Sequence, residues 1–242
     1  MKQIEENFQL EINEQQVPVR VIRERRRSIR AAVGKDAVIL RLPMQLSLTE
    51  QEKRIVWLKD WLNKQAKKSP DILLRYQTRR YEPGDVLTVG KRSYTLDISY
   101  ADKATSSGKL QNSTIYLSMS QSAKPEAVGK LLSRIVAKDF QAEIEQRVAA
   151  LNARHFQQKY NKVSLKYNLS NWGSCSSKGN INLSTRLLFA PDAVRDYVII
   201  HELAHLIEAN HSPRFWHLVQ RAMPDYKQHE RWLTQNGHLC RF

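Results

Sequence analysis

The chain has 242 residues, 41% of them hydrophobic, with 39 Lys and Arg against 24 Asp and Glu and a formal net charge of +15. This length can bury a sizeable core, and only two cysteines, Cys175 and Cys240, exclude a disulfide-stapled secreted scaffold and point to a reducing compartment. No run of about 18 apolar residues could cross a bilayer and the N-terminal segment has no apolar signal region, so a cytoplasmic protein with no membrane partner is expected; its charge favours nucleic-acid or other polyanion association without specifying one.

FQLEI, VPVRVI, RSIRAAV and AVILRLP alternate or run apolar, with short joins such as Gly34, Lys35 and Asp36, and are expected to form an antiparallel meander. Arg20, Arg23, Arg25, Arg26, Arg27 and Arg30 gather positive charge on an expected hairpin there, a surface suited to phosphate-bearing partners or simply a solvated face. Ser47 and Glu50 make a capping box, and Ile55, Leu58, Trp61 and Leu62 recur at helical spacing from Leu48 to about Lys67. After Ser69 and Pro70, the segments DVLTVG, SYTLDISY and, beyond the polar turn ADKATSSGK, STIYLSM return to strand patterning. Pro125 opens an amphipathic helix to about His155, burying Val128, Leu132, Ile135, Phe140 and Val148. No internal repeat is evident in the residues. The expected division is a β-rich N-terminal lobe with one helix over 1–122 and a catalytic lobe over 123–242.

In the last third, KVSLKYNLS and INLSTRLLF read as strands around the turn-rich NWGSCSSKGN, and Pro191 starts a helix through Val194, Tyr197, Val198, Ile200 and Leu203. That helix carries His201, Glu202 and His205 in the pattern HExxH. Histidines four apart lie on one helix face, so both imidazoles can reach one Zn²⁺, and Glu202 leans toward the open coordination position as general base. A third ligand is needed. His211 lies ten residues after His201, roughly 80° around a continuous helix, so the helix must break for it to reach the metal. Asn210 is the expected left-handed cap, with Ser212 and Pro213 opening the next helix. Glu208 is the rival ligand, whereas His155, His217, His229 and His238 carry no comparable signal. Three imidazoles suit Zn²⁺, with Ni²⁺ and Co²⁺ not excluded.

HELAHLIEANHSPRFW, with WGSCSSKGNINL upstream and PDYKQHERWL downstream, resembles the YgjP-like metallopeptidase family, relatives of SprT-like and Wss-like minimal zincins. RRRSIRAAV, VILRLP and VLTVGKRSYTL also look like that family's N-terminal region, although Asn171 stands where the family is often basic. The resemblance implies a compact zincin domain with zinc on His201, His205 and His211 and with Glu202 as base. It leaves the substrate open between a polypeptide and a nucleotide, since activity on UTP has also been attached to the family.

The fold expected is therefore α+β, a β-rich antiparallel lobe packed on a zincin-like lobe with an HExxH helix. The strand after Trp172, Gly173, Ser174 and Cys175 could pair with an extended substrate, with Asn182 and Ser184 lining that groove. Arg214 and Tyr226 are candidate donors to the oxyanion, while Phe215, Trp216 and Trp232 read as packing aromatics. Three readings follow: a zinc-dependent peptidase, a metal-dependent UTP pyrophosphatase, and a nucleic-acid or ribosome-associated protein with a structural zinc.

Overall fold

A computed structural model describes residues 4–13, 15–34, 37–68, 72–73, 76 and 79–242. The class is α+β, as expected, with three small sheets and five helices among the described residues. No helix among them is long and apolar enough to cross a membrane. The chain divides into two compact units, residues 1–78 and 79–242. The expected boundary at 122/123 falls inside the second unit, because the strands just before it pack on the long helix just after it.

The first unit contains β1 (Ile4–Ile12), β2 (Gln15–Glu24), β3 (Arg30–Val33), β4 (Val38–Pro43) and α1 (Leu48–Lys68). Its sheet runs β1-β2-β4-β3, with β2 and β4 parallel, so the expected meander is corrected. Burial explains the order. Val17, Val19 and Val21 of β2 and Val38, Leu40 and Leu42 of β4 are almost wholly buried and take the centre, whereas the shorter Arg30–Val33 strand is left at the edge. Lys35 and Asp36 of the expected join, and Ser69 and Pro70 after the helix, lie outside the described residues. The capping box forms: the Ser47 N–H donates to Glu50 Oε2 at 3.1 Å and the Glu50 N–H donates to Ser47 Oγ at 3.3 Å. Leu58 and Leu62 of α1 are fully buried against the sheet. The arginine-rich stretch lies at the end of β2, the following loop and the start of β3. Part of it is internal bonding: Arg23 donates to Gln51 and to the Leu46 carbonyl, and Arg26 pairs with Glu24.

The second unit opens with β5 (Val86–Val89), β6 (Arg92–Ala101), β7 (Ser107–Gln111) and β8 (Thr114–Ser120), followed by α2 (Glu126–His155). The sheet order is β5-β6-β8-β7 with β6 and β8 parallel, the same path as in the first unit. Even the offset agrees, since parallel partners are Val19 with Val38 in one sheet and Thr95 with Thr114 in the other. The backbone therefore repeats a four-strand-plus-helix unit that the residues do not reveal, because only the alternation of buried positions is kept. Strand β7 occupies part of the expected polar turn. Gly108 permits it, since a Cβ there would sit 2.7 Å from the Leu117 side chain and 2.8 Å from that of Ile135.

The remainder comprises β9 (Lys162–Lys166), β10 (Gly173–Cys175), β11 (Asn180–Ser184), a 3-10 turn over Thr185–Phe189, α3 (Asp192–Ala204), α4 (Pro213–Ala222) and α5 (Tyr226–Asn236). Its sheet runs β10-β11-β9, which leaves β10 and β9 as edges. Helix α2 is the spine. Arg92 and Tyr94 of β6 both donate to Asp139 Oδ2, at 2.8 and 2.6 Å, and Ser133 shares a buried 2.7 Å hydroxyl bond with Thr185. Arg147 grips the buried carboxylate of Asp196 with two guanidinium nitrogens, and Arg195 reaches Glu143 at 3.3 Å, so ionic contacts set α3 against α2. Replacing Arg147 by Ala leaves Asp196 buried without its fork of donors. Because Arg147 is itself half exposed, the expected loss in urea unfolding is about 1–2 kcal/mol.

Candidate metal centre

The apolar residues Val194, Val198, Ile199, Ile200 and Leu203 bury three sides of α3, and the helix delivers His201 and Glu202 at its last turn. It ends at Ala204, with His205 the cap residue at φ −66° and ψ −16°. The break expected before His211 is present, but Asn210 is not its device, since Asn210 has no positive φ. Instead the last turn tightens, with the Leu206 and Ile207 N–H groups bonding the Leu203 and Ala204 carbonyls, both at 3.1 Å. The next helix starts as expected: Ser212 Oγ accepts the Phe215 N–H at 3.3 Å and Pro213 stands in the first turn.

This corner folds His211 back onto the helix. Ligand atoms of His201, His205 and His211 lie within 4.8 Å of one another, and Nε2 of His201 and of His211 are 2.9 Å apart. All three rings rest on Phe215, which is fully buried, at centroid distances of 4.8, 4.5 and 4.7 Å. His205 Nδ1 lies 3.0 Å from the Glu208 carbonyl, which can only accept, so the proton sits on Nδ1 and Nε2 keeps its lone pair. Burial, then the neighbouring His205 and His211, push His201 down to about 4, so it is neutral at neutral pH. Glu208 joins the site through its backbone; its carboxylate is not in the cluster and lies 4.0 Å from Arg214.

Glu202 is buried, and burial raises its carboxyl to about 8. Its Oε2 has no hydrogen-bond partner among the described residues. A buried orphan carboxylate oxygen is costly unless something at the site uses it. Gly173 of β10 makes room for it: a Cβ at that position would lie 2.5 Å from Glu202 Oε1 and 2.8 Å from Cδ. Three clustered imidazoles and an unsatisfied carboxylate beside them fit a divalent metal, and His201, His205 and His211 are the residues that would hold it.

The cluster opens into a cavity of about 690 Å³ walled by β10 and α5. Asn171, Trp172, Cys175, Tyr197, Glu230 and Thr234 are among its lining residues. Of the expected substrate residues, Asn182, Arg214 and Tyr226 are not in that lining. Asn182 donates to Ser174 Oγ at 3.3 Å; Arg214 is exposed; Tyr226 is buried in a stack between Tyr197 and Trp216. Ser184 is buried too, its hydroxyl donating to the Asn168 carbonyl at 2.7 Å. Tyr197 and Glu230 went unrecognised. Tyr197 stands one turn before His201 on the same helix face, so the spacing that pairs the histidines also marks it. Glu230 has no such signal, because its position depends on how α5 docks. That docking runs through Arg186, which stacks over the Trp172 ring at 4.1 Å and donates to the Gly237 and Cys240 carbonyls.

The histidine cluster and the carboxylate beside it are the equipment of the metal-dependent hydrolases. The chain belongs to the YgjP-like family, metallopeptidase domain, whose family model matches residues 27–236. Over 67 residues it is 36% identical to the UTP pyrophosphatase of Escherichia coli (strain K12), a match covering 26% of this chain and 40% of that relative's length. It is similar to the crystal structure of the metallopeptidase zymogen of Pyrococcus abyssi abylysin, with 28% identity and a TM-score of 0.35 over 38% of this chain and 92% of that one. The corresponding zymogen of Methanocaldococcus jannaschii jannalysin gives 18% identity and a TM-score of 0.34 over 38% of this chain and 94% of that one.

Ala at His201, His205 or His211 is expected to lower zinc affinity by more than about 100-fold, beyond the range of changes around a ligand. Arg214→Ala and Tyr226→Phe are expected to leave it unchanged. Competition with a chromogenic chelator measures both.

Proposed function

We propose that the protein is a zinc-dependent peptidase in which Glu202 is the general base. The observation that carries this reading is the make-up of the cavity: a buried carboxylate beside the three histidines, an open strand edge as one wall, and no Lys or Arg in the lining among the described residues. A divalent ion held by His201, His205 and His211 would supply Lewis-acid polarisation of a scissile carbonyl and would make a water more acidic. Burial alone raises the Glu202 carboxyl to about 8, and a cation on the neighbouring histidines would favour its ionised form, so that Oε2 could take a proton from water and hand it to the leaving amine. Gly173 keeps the carboxylate in place, and the Glu208 carbonyl holds the His205 tautomer. The outer edge of β10 offers backbone partners to an extended substrate, which explains why residues 173–175 both form a strand and line the cavity. Tyr197 supplies the hydroxyl donor for the oxyanion in place of Tyr226.

The second reading, hydrolysis of a nucleoside triphosphate, has in its favour the similarity to the UTP pyrophosphatase and two lysines, Lys159 and Lys178, in an adjoining depression that shares Ser176, Ser177 and His205 with the cavity. Against it, the acidic Glu202 and Glu230 face the space that the phosphates would fill, and no cation of the cavity lining clamps them.

Glu202→Gln is expected to retain zinc and lose about 10²–10⁴ of peptide hydrolysis, the usual worth of general-base catalysis. UTP turnover by wild type without peptide cleavage would establish the second reading instead. Gly173→Ala is expected to behave like Glu202→Gln, keeping the metal and the fold while displacing the carboxylate; unchanged turnover in this variant would show that Glu202 need not sit where it does.

A further inference from the structure

A second concavity lies in the same unit, away from the histidines: a groove of about 710 Å³ along α2, bordered by the end of β9 and the residue before β7. Leu131 and Leu165 contribute to an apolar floor, and the charged residues of the lining are all cations, Lys130, Arg134, Lys138 and Lys166, with the Glu145 carboxylate bonded to Gln141 at one border. Each of the four is exposed, and none has an ion-pair partner among the described residues. Like charges gathered round one apolar floor repel one another, and an anionic occupant relieves that repulsion.

Spacing narrows the kind of anion. Lys130, Arg134 and Lys138 recur every four residues of α2, about 6 Å apart along the axis. An extended polypeptide presents the side chains of one face every two residues, about 6.6 Å apart. The border of the groove suits the same guest. Strand β9 is an edge, and one amide already pairs with it: the Gln141 carboxamide donates to the Val163 carbonyl at 2.9 Å and accepts from the Leu165 N–H at 3.4 Å. That side chain imitates the peptide group of a neighbouring strand, and beyond it the chain continues along the groove through Lys166 and Tyr167. A nucleic-acid strand finds less here, since Tyr167 is the single aromatic ring of the lining, whereas single-strand binders stack successive bases on several.

The geometry points to a binding site for an extended acidic polypeptide segment, laid between α2 and the edge of β9 with carboxylates at alternate positions facing Lys130, Arg134 and Lys138. It does not depend on the metal centre, and its test reads binding alone. A fluorescent peptide of alternating Glu and Thr is titrated into the full chain, beside a peptide of the same composition with its Glu residues in one block and an oligothymidylate of equal charge. The alternating peptide is expected to bind at least about fivefold more tightly than the other two. Arg134→Glu with Lys138→Glu is expected to weaken it by at least about tenfold with the thermal unfolding curve unchanged, whereas Lys109→Glu, a cation outside the groove, has no effect. If the double variant unfolds early, Lys166→Glu alone serves the same purpose. No binding of the alternating peptide, equal binding of the blocked one, or indifference to the groove substitutions overturns the proposal; tighter binding of oligothymidylate also overturns it and makes the groove a nucleic-acid site.

Discussion

Three histidine rings lean on one phenyl ring, and most of the candidate centre depends on that contact. Phe215 is fully buried beneath His201, His205 and His211, and it is placed by the Ser212 cap that starts α4. The short turn between α3 and α4 therefore does two things at once. It reverses the chain so that His211 returns to His201 and His205, and it drives Phe215 into the core, where its loss would leave a cavity under all three histidines. The three rings are held from below by packing, His205 is oriented from the side by the Glu208 carbonyl, and one ring nitrogen of each histidine lies within 4.8 Å of the others.

Glu202 shows the opposite economy. A buried carboxylate with an unbonded oxygen destabilises a folded protein, and burial raises its affinity for a proton. The surroundings do nothing to relieve this; Gly173 instead gives up its side chain so that the carboxylate can stay. Local conflict of this kind is what a site retains for chemistry. The stabilising contacts lie one layer out, in the grip of Arg147 on Asp196 and of Arg186 on the backbone after α5.

The helix that ends on His201, Glu202 and Ala204, the restart at Ser212 and the capping box at Ser47 were legible in the sequence because each rests on residues within about one or two helical turns of one another. What lay between distant segments was not. The parallel pairing of β2 with β4 goes with which strands bury one face most completely, a global property, and β7 was hidden because Gly108 and its polar neighbours look like a turn until Ile135 is seen packed against them. Arg214 and Tyr226 stood near the ligands in sequence and suggested donors, yet one points to solvent and the other is a stacking partner of Tyr197. Gly173 carried the opposite lesson: within WGSC it read as part of a tight turn, and only the approach of Glu202 shows what its missing side chain is for.

The repeated strand-and-helix layout has a thermodynamic consequence. Each unit encloses a hydrophobic core of its own, one formed around Val19, Leu40 and Leu62, the other around Leu117, Val136 and Ile199. Cooperative unfolding belongs to a core, so this chain has two candidates for a transition. A ligand that binds only the native histidine cluster raises the stability of the unit that contains it by mass action. A melting temperature quoted for the whole chain would then combine the stability of that unit, which depends on ligand concentration, with the stability of the other.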